Sequence, residues 1–171
     1  PGSAFKPFIY ASAILNGYTP ATIVWDIPTE FNPLCSWDGK AENGVNPETC
    51  YKPKNYDGRF RGPVTLKQSL SNSLNIPSVK IMYLAGINNS IDTAESMGIN
   101  TLKDRSRYGL SLVLGAGEVK LLEITSAYGV FANEGIMYEP TGILKVENGS
   151  GQILEEYKNN GRVAISEQTA R

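Results

Sequence analysis

The sequence contains no histidine. That absence removes the Ser-His-Asp triad, the Cys-His pair and the His-Glu-x-x-His metal site at a stroke. Its two cysteines, Cys35 and Cys50, are too few for a four-ligand zinc site. Acid–base chemistry near neutral pH would therefore fall to lysine, tyrosine or a carboxylate with a displaced pKa. A basic excess is lacking too: 16 Lys and Arg stand against 17 Asp and Glu, a formal charge of -1. An electrostatic nucleic-acid binder would carry more positive charge than that. No run of 18 apolar residues is present, so no membrane-spanning helix is expected. No basic leader followed by an apolar stretch precedes the first segment. What is there, 171 residues at 41% hydrophobic and 19% charged, suits one globular domain and is too apolar for a disordered chain.

Along the chain, residues 7–16 (PFIYASAILN) read as a largely buried helix stopped by Gly17, and 21–25 (ATIVW) as a short strand. Residues 26–64 are rich in Pro, Asn, Asp and Gly and have little periodicity. An irregular stretch of that length inside a compact domain is usually functional or tied down. Thr65-Leu66-Lys67-Gln68 fits a capping box and predicts a helix from Thr65 to about Asn75, ended by the restriction that Pro77 places on Ile76. A second helix is expected from Pro77 to Leu84, closed by Gly86, and a third from about Ser90 to Met97, closed by Gly98. Residues 110–114 (LSLVL) read as a buried strand or extended segment. The clearest helical spacing runs over 118–133, through Leu121, Ile124, Tyr128 and Phe131 to a stop at Gly135. Residues 142–158 read as a hairpin around Asn148-Gly149-Ser150-Gly151. The chain opens on a turn, Pro1-Gly2-Ser3, and stops one turn after Ser166, which reads as a helix cap. A helix that short is not stable by itself, so the expectation is a piece of a longer protein, and the missing leader carries no information about location.

Two short motifs bear chemistry. In Ser3-Ala4-Phe5-Lys6 the serine and lysine are three apart and share one face of a helical turn. Serine is a weak nucleophile until a neighbour takes its proton. Lysine does so only when neutral, which needs burial or nearby positive charge, and Phe5 and Phe8 could supply part of the burial. At Ser73-Leu74-Asn75, a hydroxyl and an amide two residues apart stand at a helix-to-helix corner and could face one cleft. There the hydroxyl could relay a proton, and the amide could hold a substrate carbonyl or the lysine. Taken singly, each motif reads more readily as a helix cap beside a surface or solvated side chain.

Together the motifs match two of the three elements, Ser-x-x-Lys, Ser-x-Asn and Lys-Thr-Gly, that mark penicillin-binding proteins and serine β-lactamases. The surrounding segments extend the match: Pro1 to Phe8; Asn55-Tyr56-Asp57-Gly58, Gly62 and Val64-Thr65-Leu66; then Ser73 to Pro77. Further on come Gly109 to Val119, Leu121-Leu122-Glu123 and Ser126 to Asn133. In that order they resemble the transpeptidase domain of class A (bifunctional) penicillin-binding proteins over nearly the whole chain. Lys-Thr-Gly occurs nowhere; in that family it lies on a later strand that lines the cleft opposite the serine. Lys120 stands where the family often has a threonine cap, Trp25 where an acidic residue is expected, and the Cys35–Cys50 loop is long.

The resemblance implies an α+β fold: the mainly helical part of a penicillin-binding-protein or serine β-lactamase-like transpeptidase, with a small antiparallel hairpin and an incomplete sheet. Residues 1–171 would be a partial transpeptidase domain. It further implies acyl transfer from a D-Ala-D-Ala peptide stem, with Ser3 as nucleophile, Lys6 as base, Ser73 as proton shuttle and Asn75 as anchor for Lys6 and substrate. The implied partners are peptidoglycan stem peptides and β-lactams. No cofactor, metal or nucleic acid is called for, and a membrane is met only through a segment outside this chain. The implied location is the outer face of the bacterial cytoplasmic membrane. In such an oxidising compartment Cys35 and Cys50 could pair, or could remain two buried thiols. A β-lactamase-like hydrolase and a non-catalytic β-lactam sensor or envelope scaffold are the alternatives, and a chain without the Lys-Thr-Gly strand is expected to turn over poorly alone.

Overall fold

A computed structural model describes all residues, Pro1–Arg171. A 3₁₀ turn over Gly2–Phe5 runs directly into helix α1 (Lys6–Leu15). Pro7 sits in the first turn of α1, where a missing N–H costs no hydrogen bond. The helix is apolar nearly all round, and Phe8, Ile9, Tyr10, Ala11 and Ala13 are buried, which makes it the central element of the molecule.

Strand β1 (Ile23–Asp26) pairs antiparallel with β2 (Gly62–Thr65), Val24 opposite Val64. Period-two alternation turns Ile23 and Trp25 outward and Val24 and Asp26 inward. From the sequence no strand is expected at β2: Gly62, Pro63 and Val64 end the stretch that reads as irregular, and a strand of four residues is too short for a periodic signal. Between the two strands the chain makes a 3₁₀ turn at Pro47–Thr49, and Cys35 and Cys50 are joined by a disulfide. Closing that loop of about fifteen residues removes roughly 3 kcal/mol of unfolded-state entropy.

Three helices follow: α2 (Leu66–Ser71), α3 (Asn75–Ala85) and α4 (Ile87–Ser96). Both halves of the Thr65–Gln68 capping box form. The break between α2 and α3 falls earlier than the sequence suggests. α2 stops at Ser71 and α3 begins at Asn75, with Pro77 inside its first turn, where no carbonyl waits for its N–H. Gly86, at φ +84°, turns α3 into α4, and α4 starts at Ile87, ahead of the expected Ser90. Residues Leu110–Leu114 form a 3₁₀ helix, not a strand. Helix α5 (Leu121–Ala132) starts three residues later than its periodicity implies. Strand β3 (Ile136–Met137) pairs with β6 (Arg162–Val163), and β4 (Lys145–Glu147) with β5 (Ile153–Glu156), the latter an exposed hairpin with a bulge at Val146/Glu147. A last turn, α6 (Glu167–Ala170), is capped by Ser166, whose Oγ accepts from the Thr169 N–H.

The architecture is α+β, dominated by helices, with three separate two-stranded antiparallel sheets. One continuous apolar core joins α1, α3, α4 and α5 through Phe8, Ile9, Val79, Met82, Ile91, Ala127 and Val130. No helix is long and apolar enough to cross a membrane.

Candidate active site

The start of α1 and the corner between α2 and α3 meet at one point, although 67 residues separate them along the chain. Lys6 is fully buried, unusual for lysine. Its Nζ donates to three oxygens: the Ser73 carbonyl at 2.7 Å, the Ser73 hydroxyl at 3.0 Å and Asn75 Oδ1 at 2.9 Å. The ammonium thus finds an acceptor for each of its three protons. All three are neutral and no carboxylate is among them, so the loss of hydration outweighs what they return, and burial pulls the Lys6 pKa from 10.5 down to about 8. The free amine is thus reached much closer to neutral pH than in a lysine in water.

Ser73 reaches Lys6 twice because its backbone lies in the left-handed region, φ +51°, one of two non-glycine residues there. That conformation is costly for an L-residue with a side chain. It bends the chain between α2 and α3 and sends the carbonyl and the hydroxyl of one residue to the same amine. Asn75 opens α3, with its Nδ2 donating to the Lys54 carbonyl at 2.9 Å.

Ser3 lies in the 3₁₀ turn that delivers the chain to α1, and its side chain is exposed. The turn itself is held firmly. Tyr128 Oη, from α5, donates to the Ala4 carbonyl at 2.7 Å. Gly115, at φ +85°, lets its loop approach the Gly2 backbone so closely that any Cβ there would collide with it. Phe5 is buried against Phe8, whose ring also meets Tyr128 edge-on. The structure therefore brings Lys6, Ser73 and Asn75 into direct contact and sets Ser3 one turn before Lys6. The amine makes no hydrogen bond to the Ser3 hydroxyl; its three donors are all spent on the Ser73–Asn75 corner. Tyr128 and Gly115 lie in segments the resemblance covers, yet nothing in their spacing marks them as supports of the Ser3 turn. No cluster of metal-ligating side chains is present.

The family model described as the penicillin binding protein transpeptidase domain matches residues 1–171, the full chain. The chain belongs to that family. Penicillin-binding protein 1A of Pseudomonas aeruginosa is 35% identical over 170 residues, which are 99% of this chain and 19% of that protein. The crystal structure of penicillin-binding protein 1A from Haemophilus influenzae superposes with a TM-score of 0.75 at 31% identity, covering 96% of this chain and 22% of that one. The structure of PonA1 from Mycobacterium tuberculosis in complex with penicillin V shares the fold at TM-score 0.78 and 23% identity, covering 99% of this chain and 44% of that one. The chain spans about a fifth of the length of the penicillin-binding protein 1A relatives it matches. The expected fold class is thus that of the transpeptidase family, and the helical body and small antiparallel sheets are the part of it seen in this domain.

Proposed function

We propose that this chain carries the nucleophile and base of a serine acyl-transferase that cross-links peptidoglycan stem peptides, and that β-lactams acylate the same serine. The observation that carries the reading is the buried, carboxylate-free Lys6 amine, lowered to about 8 and gripped by Ser73 and Asn75 one turn after an exposed serine.

The free amine of Lys6 takes the proton of Ser3, and Ser3 Oγ attacks the carbonyl carbon between the two D-alanines. The proton passes by way of the Ser73 hydroxyl, 3.0 Å from the amine, to the nitrogen of the departing D-Ala. The carbon–nitrogen bond breaks and an ester to Ser3 remains. A second stem's amine then attacks that ester, returns a proton along the same route and frees Ser3. Positioned acid–base assistance of this kind is worth about 10²–10⁴ in rate. Asn75 holds Lys6 at the Ser73 corner, its Oδ1 accepting from the amine. The protein would work outside the cytoplasmic membrane, where a Cys35–Cys50 disulfide is stable.

The test is to incubate the full-length protein carrying this chain with a fluorescent penicillin and map the adduct by mass spectrometry. The expected result is one long-lived adduct on Ser3, abolished by Ser3→Ala. Label on another serine, or label that survives the substitution, contradicts the assignment. A Ser3 adduct lost to water within seconds would mark a hydrolase instead.

A further inference from the structure

Behind Asn75 lies a buried polar pair that the three family motifs do not include. Asn55, only 5% exposed, stands in the loop between β1 and β2, and Asp26, fully buried, closes β1. Asn55 Oδ1 accepts the Asn75 N–H at 2.8 Å and, more loosely, the Ile76 N–H at 3.4 Å. These are the first N–H groups of α3, which a helix start leaves without intrahelical partners. Leu74, at the cap position, has no side-chain oxygen to offer them. Asn55 therefore caps α3 from outside, at the residue whose side chain grips Lys6.

The other end of the Asn55 amide explains why it faces this way. Its Nδ2 donates to both carboxylate oxygens of Asp26, at 2.8 and 3.0 Å, and to the Arg59 carbonyl at 2.8 Å. With acceptors on one side and N–H donors on the other, the amide cannot turn over without losing every bond. Asp26 is held in turn by the Arg61 N–H at 3.0 Å and faces the Arg61 guanidinium at 3.8 Å. From the strand side, Lys80 ties to the Trp25 carbonyl next door at 2.7 Å.

We infer that Asn55, oriented by Asp26, is a positioning residue for acylation: it fixes the Asn75 backbone, and through Asn75 the place of the Lys6 amine. This rests on the acyl-transferase reading above. Asn55 would not touch substrate. A misplacement of the base by about 1 Å costs on the order of 100-fold in rate.

The test measures fluorescent-penicillin labelling of the full-length protein, reading the rate constant and the final stoichiometry separately. The final stoichiometry counts folded molecules; the rate constant reads the site. Asn55→Asp sets two carboxylates face to face and is expected to label Ser3 to the same end-point about 100-fold more slowly. Adding Asp26→Asn restores an amide–carboxylate pair with an acceptor still toward Asn75, and is expected to recover at least about tenfold of that rate. If Asn55→Asp gives no folded protein, Asn55→Ser is read in the same way, with about a tenfold slower rate expected. An unchanged rate constant in either single variant overturns the inference, and failure of the exchange to recover rate overturns the role of Asp26. No labelling of the unsubstituted protein would instead strike the acyl-transferase reading itself.

Discussion

Ser73 carries two burdens at once. Its hydroxyl is the atom that relays a proton in the proposed reaction, and its backbone holds a left-handed turn at φ +51°. The two can be separated by substitution. Ser73→Ala and Ser73→Gly both remove the hydroxyl, and each is expected to slow acylation about 10²-fold. Only glycine relaxes the backbone, so Ser73→Gly should be more stable than Ser73→Ala by about 1 kcal/mol in denaturant unfolding. Equal stabilities would mean that the turn carries no strain. The sequence made Ser73 and Asn75 visible as a pair, because two residues at a predicted helix corner are a local pattern. It could not show that the Ser73 carbonyl, as well as its hydroxyl, holds the amine, since a positive φ at a serine leaves no mark on composition or periodicity.

Helix boundaries show the same division between local and distant causes. The capping box at Thr65 and Gln68 was readable because both partners lie within four residues, and it forms as expected. Leu110–Leu114 was not: five residues, mostly apolar, fit a buried strand and a buried helical turn equally well, and only packing against α3 and the Ser3 turn selects the 3₁₀ form. At the start of α5 the sequence departs from the family's usual threonine, and Lys120 indeed occupies the cap position without any side-chain hydrogen bond. It places a positive charge at the positive end of a helix, relieved by an ion pair at 3.6 Å between its exposed amine and the largely buried Glu123. Lys120→Ser supplies an oxygen for the free N–H groups and is expected to raise stability by about 1 kcal/mol, with the acylation rate unchanged. Unfolding curves with and without the substitution check this, and a loss of stability would show that the lysine is the better cap.

At the scale of the molecule, the site exists because the long irregular loop returns to the helical body. Lys6 meets its acceptors 67 and 69 residues away, and Asn75 meets Asn55 20 residues back. Asn55 and Asp26 lie in a stretch whose composition reads as loop, and nothing local distinguishes a buried asparagine from a solvated one. Family resemblance named Ser3, Lys6, Ser73 and Asn75 as the candidate site; the network behind Asn75 needed the folded chain. The apolar core around α1 also creates the chemistry, since it is burial that lowers Lys6 to about 8. The sign is fixed: burial disfavours the ammonium, so the proton leaves at lower pH than from a lysine in water, whose pKa is 10.5. Between those two values the unfolded chain holds more protons on this residue than the folded one. Lys6 therefore adds stability as pH rises through that window, so a plateau in rate there does not reflect unfolding driven by this residue.

The most direct measurement is accordingly the rate of penicillin acylation at Ser3 in the full-length protein between about pH 6 and 9.5. If the free Lys6 amine is the base, the rate climbs about tenfold per pH unit and levels near 8. A rate that ignores pH over this range, or one still climbing in proportion at its upper end as an ordinary lysine would require, contradicts the account.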